Sequence, residues 1–179
     1  QIESFASKAE FKQSNNSRAF VGNEPTDERK NAYVQLGSVL HTIFSTIHTM
    51  ADIPKALQQL ELEGILYDDI ITQDQLANLI KDRLAQPQVA EWFSERWQLF
   101  NECTILNIDP TSGNVYERRP DRVMTDGNEM IVVDFKFGRP NTEYHDQVRE
   151  YMHLLADMGY LNIKGYLWYV YSNKIEEVK

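Results

Sequence analysis

The sequence predicts an α/β sandwich with a mixed sheet, and three observations lead there. Apolar residues recur every three to four positions through the first half and again over 143–158, as amphipathic helices require. The period shortens to β-rich runs between about residues 98 and 137 and over 164–171. The resulting order is helix, helical insert, three strands, helix, strand. It joins an antiparallel meander to a strand that follows a helix, an arrangement suited to one sheet covered by helices.

Residues 1–30 have no period. Their run "KQSNNSRAFVGNEPTDERK" is polar and carries Gly22 and Pro25, so a linker or an arm lying on a neighbour is expected. Because the chain begins with Gln1, it is expected to be a fragment of a longer protein. From Glu28 to Met50, Tyr33, Leu36, Leu40, Ile43, Phe44, Ile47 and Met50 form one helical stripe, with Thr26 as its expected cap. Three more helical segments follow: "IPKALQQLELEG" at 53–64, "TQDQLANLIKDRLAQ" at 72–86 and "PQVAEWFSERW" at 87–97. Pro54 and Pro87 suit first-turn positions and Gly64 suits a stop, so 51–97 reads as a helical insertion.

Gln98–Leu106 is expected to be extended. Asn114–Met124 and Met130–Phe137 are expected strands flanking "TDGN". Glu143–Met158 is a helix with Tyr144, Val148, Tyr151, Met152, Leu155 and Met158 on one face and Gly159 as its stop. "KGYLWYVY", Lys164–Tyr171, is an aromatic strand. The folded domain is expected to occupy 31–179.

Composition narrows the classes of function. The chain has 179 residues, 42% of them hydrophobic, enough for one domain with a real core. No apolar run approaches the ~20 residues of a membrane span, so a membrane partner is not expected. A single cysteine, Cys103, excludes an internal disulfide, a cysteine-rich zinc site and a self-contained iron–sulfur cluster, and fits a cytoplasmic location. A net charge of −9 argues against a free-standing protein that coats nucleic acid. Residues 117–149 are nearly balanced, with six Lys/Arg against seven Asp/Glu, so most of the acidity lies elsewhere.

The hairpin around "TDGN" holds the feature that calls for chemistry. Asp121 lies on one arm; Asp134 and Lys136 lie inside the apolar run Ile131–Phe137 of the other. A two-residue turn at Asp126-Gly127 would pair Asp121 with Val132, and one at Gly127-Asn128 would pair Asp121 with Asp134. Side chains alternate along a strand, so either register puts Asp121, Asp134 and Lys136 on one face. Ile131, Val133, Phe135 and Phe137 then face the core, while the matching face of the first arm carries Arg118, Pro120 and Arg122. Two adjacent carboxylates repel unless one takes a proton, a cation sits between them, or both face water. A hard divalent ion suits carboxylate oxygen. Two acids, such an ion and a lysine are parts with which water can attack a phosphodiester. A solvated polar face with ordinary ion pairs is the alternative from spacing alone.

Four elements resemble the PD-(D/E)XK nucleases, and more narrowly the RecB/AddA-type nuclease domain at the C-terminus of UvrD/Rep-like helicases. They are "LGSVLH" with Gly37 and His41, "RPDRV" with Asp121, "VDFK" with Asp134 and Lys136, and "DQVREY" with Gln147 and Tyr151. They stand in the family's order and cover roughly residues 33–171. Pro120 departs from the small or aliphatic residue often found before the acid, and implies an edge or a bulge. The resemblance implies a restriction-endonuclease-like α/β/α sandwich with an α-β-β-β-α-β core, 51–97 being an insertion after the first helix. It implies a metal-dependent DNA exonuclease of the exodeoxyribonuclease V kind, acting in DNA end resection and double-strand-break repair. Residues 1–30 would then be an arm from an upstream helicase region.

By the same resemblance, Asp121, Asp134, the Phe135 carbonyl and His41 would hold Mg2+, with Mn2+ as a substitute. Lys136 would orient the attacking water, and Gln147 and Tyr151 would position Lys136 or the DNA strand. Tyr151 as plain core is the competing reading, and His48 shares nearly the same helix flank as His41. Glu102 is a weaker site candidate, and Arg118, Arg119, Arg122, Arg139 and Arg149 are candidate phosphate contacts. Trp92, Phe93 and Trp97 read as core rather than as a base-stacking surface. The implied partners are single-stranded DNA ends, ATP-dependent helicase domains of the same polypeptide and a second helicase–nuclease subunit. A catalytically inactive nuclease-like domain that binds DNA or a partner subunit is the rival function.

Overall fold

The computed structural model describes residues 27–64, 71–100 and 104–179. Residues 1–26 of the expected arm, with the Thr26 cap, and Glu102 lie outside the described residues, and the arm's last four residues, 27–30, belong to the first helix.

Helix α1 is Asp27–Thr46, followed by a short 3-10 turn at Met50–Asp52. The insertion is helical as expected: α2 is Ile53–Leu62, α3 is Gln73–Leu84 and α4 is Pro87–Trp92. Thr72 caps α3 through a reciprocal pair with Gln75, and Pro54 and Pro87 occupy first-turn positions where a missing N–H costs nothing. The strands are β1 Gln98–Leu99, β2 Ile105–Ile108, β3 Val115–Arg118, β4 Arg122–Thr125 and β5 Met130–Lys136. Then come α5 Thr142–Asp157, β6 Ile163–Tyr169 and β7 Lys174–Val178.

Five strands form one mixed sheet in the order β1-β4-β5-β6-β7. Only β5 and β6 run parallel, joined through α5; the other pairs are antiparallel. The expected α-β-β-β-α-β core is therefore α1, β1, β4, β5, α5 and β6. Two of the expected strands are each divided. The first splits into β1 and β2, and the second splits at Pro120 into β3 and β4. β2 and β3 pair with each other as a separate ribbon. Proline has no N–H to give a ladder, which accounts for the break between Arg118 and Arg122. Strand β7 was not expected: "KIEEV" is too charged to read as a strand, and it is one because it forms the sheet's edge against β6.

Helices cover both faces. On one side Leu40, Ile43 and Phe44 of α1, Ile47 just after it, and the buried residues of α2, α3 and α4 pack on Met124, Ile131, Val133, Phe135 and Trp168. On the other, Val148, Tyr151 and Leu155 of α5 pack on Val132, Leu167 and Tyr169. α5 comes so close to β6 that a Cβ at Gly165 would lie 2.6 Å from Val148 Cγ1. Trp92, Phe93 and Trp97 are fully buried, as the core reading expects. Tyr33, Met50 and Met158, expected on apolar faces, are exposed and belong to neither core. Arg96 ties the β4–β5 turn to α4 by bonding Asp126 and Glu91, both at 2.8 Å. Among the described residues no helix is long and apolar enough to cross a membrane.

Candidate active site

The β4–β5 register decides where the acids meet. Arg122 pairs with Val133 and Thr125 with Met130, so the turn centres on Gly127-Asn128, and the same register carried one residue past the ladder's end sets Asp121 opposite Asp134. Gly127 has φ +94°, a value that favours glycine, and the Asp126 carboxylate accepts from the Asn128 and Glu129 amides to close the turn. β4 pairing stops at Arg122, and the Asp121 side chain takes over: its Oδ2 accepts the Phe135 N–H at 2.7 Å. In an antiparallel ladder one residue's N–H and C=O point to the same side, so the Phe135 carbonyl faces the same edge as Asp121.

Asp134 is 5% exposed and lies within hydrogen-bond reach of Asp121. Its carboxyl is pushed well above the usual range by burial first and the Asp121 charge second, with Lys136 opposing. Asp121 goes the other way. Burial works to raise it, but the His41 hydrogen bond and charge, with the Phe135 amide, hold it below the usual value. The two carboxyls are therefore pushed in opposite directions, Asp121 toward its charged form and Asp134 toward its protonated form.

Lys136 Nζ stands 2.8 Å from Asp134 Oδ2 and 3.2 Å from Gln147 Oε1, and 4.2 Å over the Tyr144 ring. Tyr144 was not singled out as a site residue; its i, i+3 spacing to Gln147 was the available signal. Tyr151 is buried in the α5 core, and burial followed by the Asp134 charge raises its hydroxyl pKa. It is thus a core residue that also borders the acid.

His41 Nε2 meets Asp121 Oδ1 at 2.5 Å, and the ring lies edge-on to Phe135 and Phe137. Burial opposes its protonation, but the Asp121 bond and charge prevail and raise its pKa. Gly37 lets α1 come this near, since a Cβ there would stand 3.2 Å from the Tyr171 hydroxyl. His48, on the same flank, instead meets the Trp97 carbonyl at 2.5 Å.

Arg122 is a correction. Expected as a candidate phosphate contact, it is 2% exposed and faces the α1 side. Its guanidinium donates to the carbonyls of Ile47 (2.6 Å), His48 (2.9 Å) and Trp92 (2.9 Å), and lies over the Phe93 ring. These carbonyls end α1 and α4, where no intrahelical donor exists. Burial lowers the Arg122 pKa to about 10, so it stays a cation at neutral pH. The charge at Arg122 is thereby explained: the arginine binds the chain ends that follow α1 and close α4 and anchors the residue next to Asp121. Arg118 pairs with Glu150 and Arg149 with Asp146, both toward solvent.

Among the described residues no three His, Cys, Asp or Glu side chains already converge as a cage for an ion. His41 now engages Asp121 directly. The chemistry of the donors still fits a hard divalent cation: a buried acid beside a second acid carries charge that a cation would relieve, and imidazole and a carbonyl edge adjoin it.

Comparison with curated proteins returns no match. The family model of the PD-(D/E)XK nuclease superfamily matches residues 8–179, nearly the whole chain. Members of this superfamily are generally nucleases and typically use divalent metal ions. The mixed five-strand sheet between helices agrees with its restriction-endonuclease-like fold, and the chain belongs to the PD-(D/E)XK nuclease superfamily.

Proposed function

We propose that the chain is a Mg2+-dependent DNA exonuclease domain of the RecB/AddA type, part of a helicase–nuclease that resects DNA ends in double-strand-break repair. The observation that carries the reading is the meeting of Lys136, Asp134 and Asp121 at one buried end of β5, with Lys136 Nζ 2.8 Å from Asp134. Asp121, Asp134, the Phe135 carbonyl and His41 would hold Mg2+, with Mn2+ as a substitute. A bound divalent ion supplies charge neutralisation at the phosphate and a more acidic water. Lys136 supplies a positive charge beside the phosphate and a donor that orients the attacking water. Gln147 holds the ammonium from one side, and Tyr151 lies buried within reach of the Asp134 charge. An upstream helicase would feed single-stranded DNA to this site and provide the basic surface that a net charge of −9 does not.

Labelled single- and double-stranded DNA incubated with the chain in Mg2+, Mn2+ or chelator tests this. Cleavage is expected with either metal and absent in chelator. Lys136→Ala is expected to abolish cleavage of single strands while leaving circular dichroism and melting nearly unchanged; a variant that cuts at the wild-type rate refutes the assignment.

The rival reading, a nuclease-like domain that binds DNA or a partner subunit without cutting, draws on the direct His41–Asp121 contact, in which two of the proposed ligands already satisfy each other. Calorimetry with Mn2+ separates the two, since no heat at millimolar metal would favour the rival.

A further inference from the structure

A second feature of α1 runs away from the candidate site toward solvent. Arg29, Tyr33, Gly37 and His41 are spaced four apart, so they lie on one stripe of the helix. His41 ends the stripe at Asp121. Gly37 leaves room in which Tyr171 and Phe137 come up against the helix. Their rings continue the line: His41 to Phe137 at 6.5 Å, Phe137 to Tyr171 at 5.5 Å, and Tyr171 to Tyr33 at 5.7 Å, each pair edge-on. The Tyr171 hydroxyl donates to the Tyr33 carbonyl at 2.6 Å, which fixes the α1 backbone under the Tyr33 ring.

Tyr33 is nevertheless 61% exposed. The ring meets Tyr171 at right angles and leaves most of its surface to solvent, where a base can stack. Arg29, one turn further out, is exposed as well. A flat ring beside a cation, on a line leading to the acids and lysine, has the two components with which proteins hold single-stranded nucleic acid: stacking for the base and charge for the backbone.

We propose that this stripe is a binding subsite for single-stranded DNA, with a base stacked on Tyr33 and a phosphate near Arg29. The proposal rests on the nuclease reading above for its choice of ligand. Eight helical residues separate Tyr33 from His41, about 12 Å at ~1.5 Å per residue. At ~3.4 Å per stacked nucleotide, the base on Tyr33 lies about three to four nucleotides from the phosphate at the acids. Stacking does not read sequence, so the subsite accepts any base but not an abasic position.

Fluorescence anisotropy in chelator, with the full chain and a labelled strand of about 16 nucleotides, tests it. Wild type is expected to bind the intact strand more tightly than an abasic strand of the same length. Tyr33→Leu should weaken intact-strand binding by about fivefold or more and leave abasic-strand binding unchanged, while Tyr33→Phe stays within about twofold of wild type. Arg29→Gln should reduce the slope of log affinity against log salt by about 0.7. Equal binding of intact and abasic strands by wild type, or intact-strand binding by Tyr33→Leu at wild-type strength, overturns the proposal. The first comparison needs no variant, so a misfolded mutant does not shield the idea. Cleavage by wild type in Mn2+ is scored separately. If wild type cuts and Tyr33→Leu binds normally, the subsite alone fails; if Tyr33→Leu loses binding and wild type cuts nothing, the nuclease reading alone fails.

Discussion

Replacing Arg122 with methionine tests whether the anchor beside Asp121 is structural. The guanidinium makes three charge-assisted bonds to carbonyls at the ends of α1 and α4. At ~1.5–3 kcal/mol each they sum to ~5–9 kcal/mol, an upper bound because such terms are not additive and methionine still fills the space. Leaving buried partners without a donor points to a net loss of about 3–5 kcal/mol. That is a large share of the ~5–15 kcal/mol stability of an ordinary domain. At this chain length each kcal/mol moves the melting temperature by ~2–4 °C, so Arg122→Met should melt about 6–20 °C below wild type. Urea titrations followed by far-ultraviolet circular dichroism measure the loss directly, with slopes compared to exclude a changed unfolded state. Arg122→Lys should recover only part, because an ammonium cannot present a planar fork to three separate carbonyls. A loss below ~1 kcal/mol in Arg122→Met would refute the capping account.

Two further outcomes follow from the charges. Burial and Asp121 outweigh Lys136 in disfavouring the Asp134 charge, so Asp134→Asn should lose metal binding in calorimetry yet melt higher than wild type in chelator at pH 8; a lower melting point would show that the Lys136 ion pair dominates. Asp126 is held at about 2, first by Arg96 and then by the Glu129 and Asn128 amides, so it contributes stability above its ordinary 3.8 that is lost as pH falls toward about 2. Asp126→Asn should therefore flatten the acid limb of melting temperature against pH across that window, and an unchanged slope would refute the link.

Much of this was legible in the residues because local and long-range signals agreed. The period of α1, the three insertion helices and the α5 face are written in spacing that only a helix satisfies, but spacing does not say how far along a stripe burial extends, and Tyr33 and Met158 escape it. Alternation alone put Asp121, Asp134 and Lys136 on one face, but two turns were compatible with it. The choice of Gly127-Asn128 depends on turn closure by the Asp126 carboxylate, which spacing does not reveal. Arg122 was opaque for another reason. An arginine in a strand reads as exposed, and its three acceptors come from residues 47, 48 and 92, brought together only by tertiary packing. β7 was missed because edge strands tolerate charges that central strands exclude.

The Asp121 carboxylate fills the rung that a neighbouring strand's carbonyl would have taken on Phe135. Assembly of the acid centre and zippering of the sheet are therefore a single event. A chain that slipped β4 by two residues would keep its hydrophobic faces but carry the Asp121 carboxylate away from the Phe135 amide, so one side chain reports whether the two strands are in register.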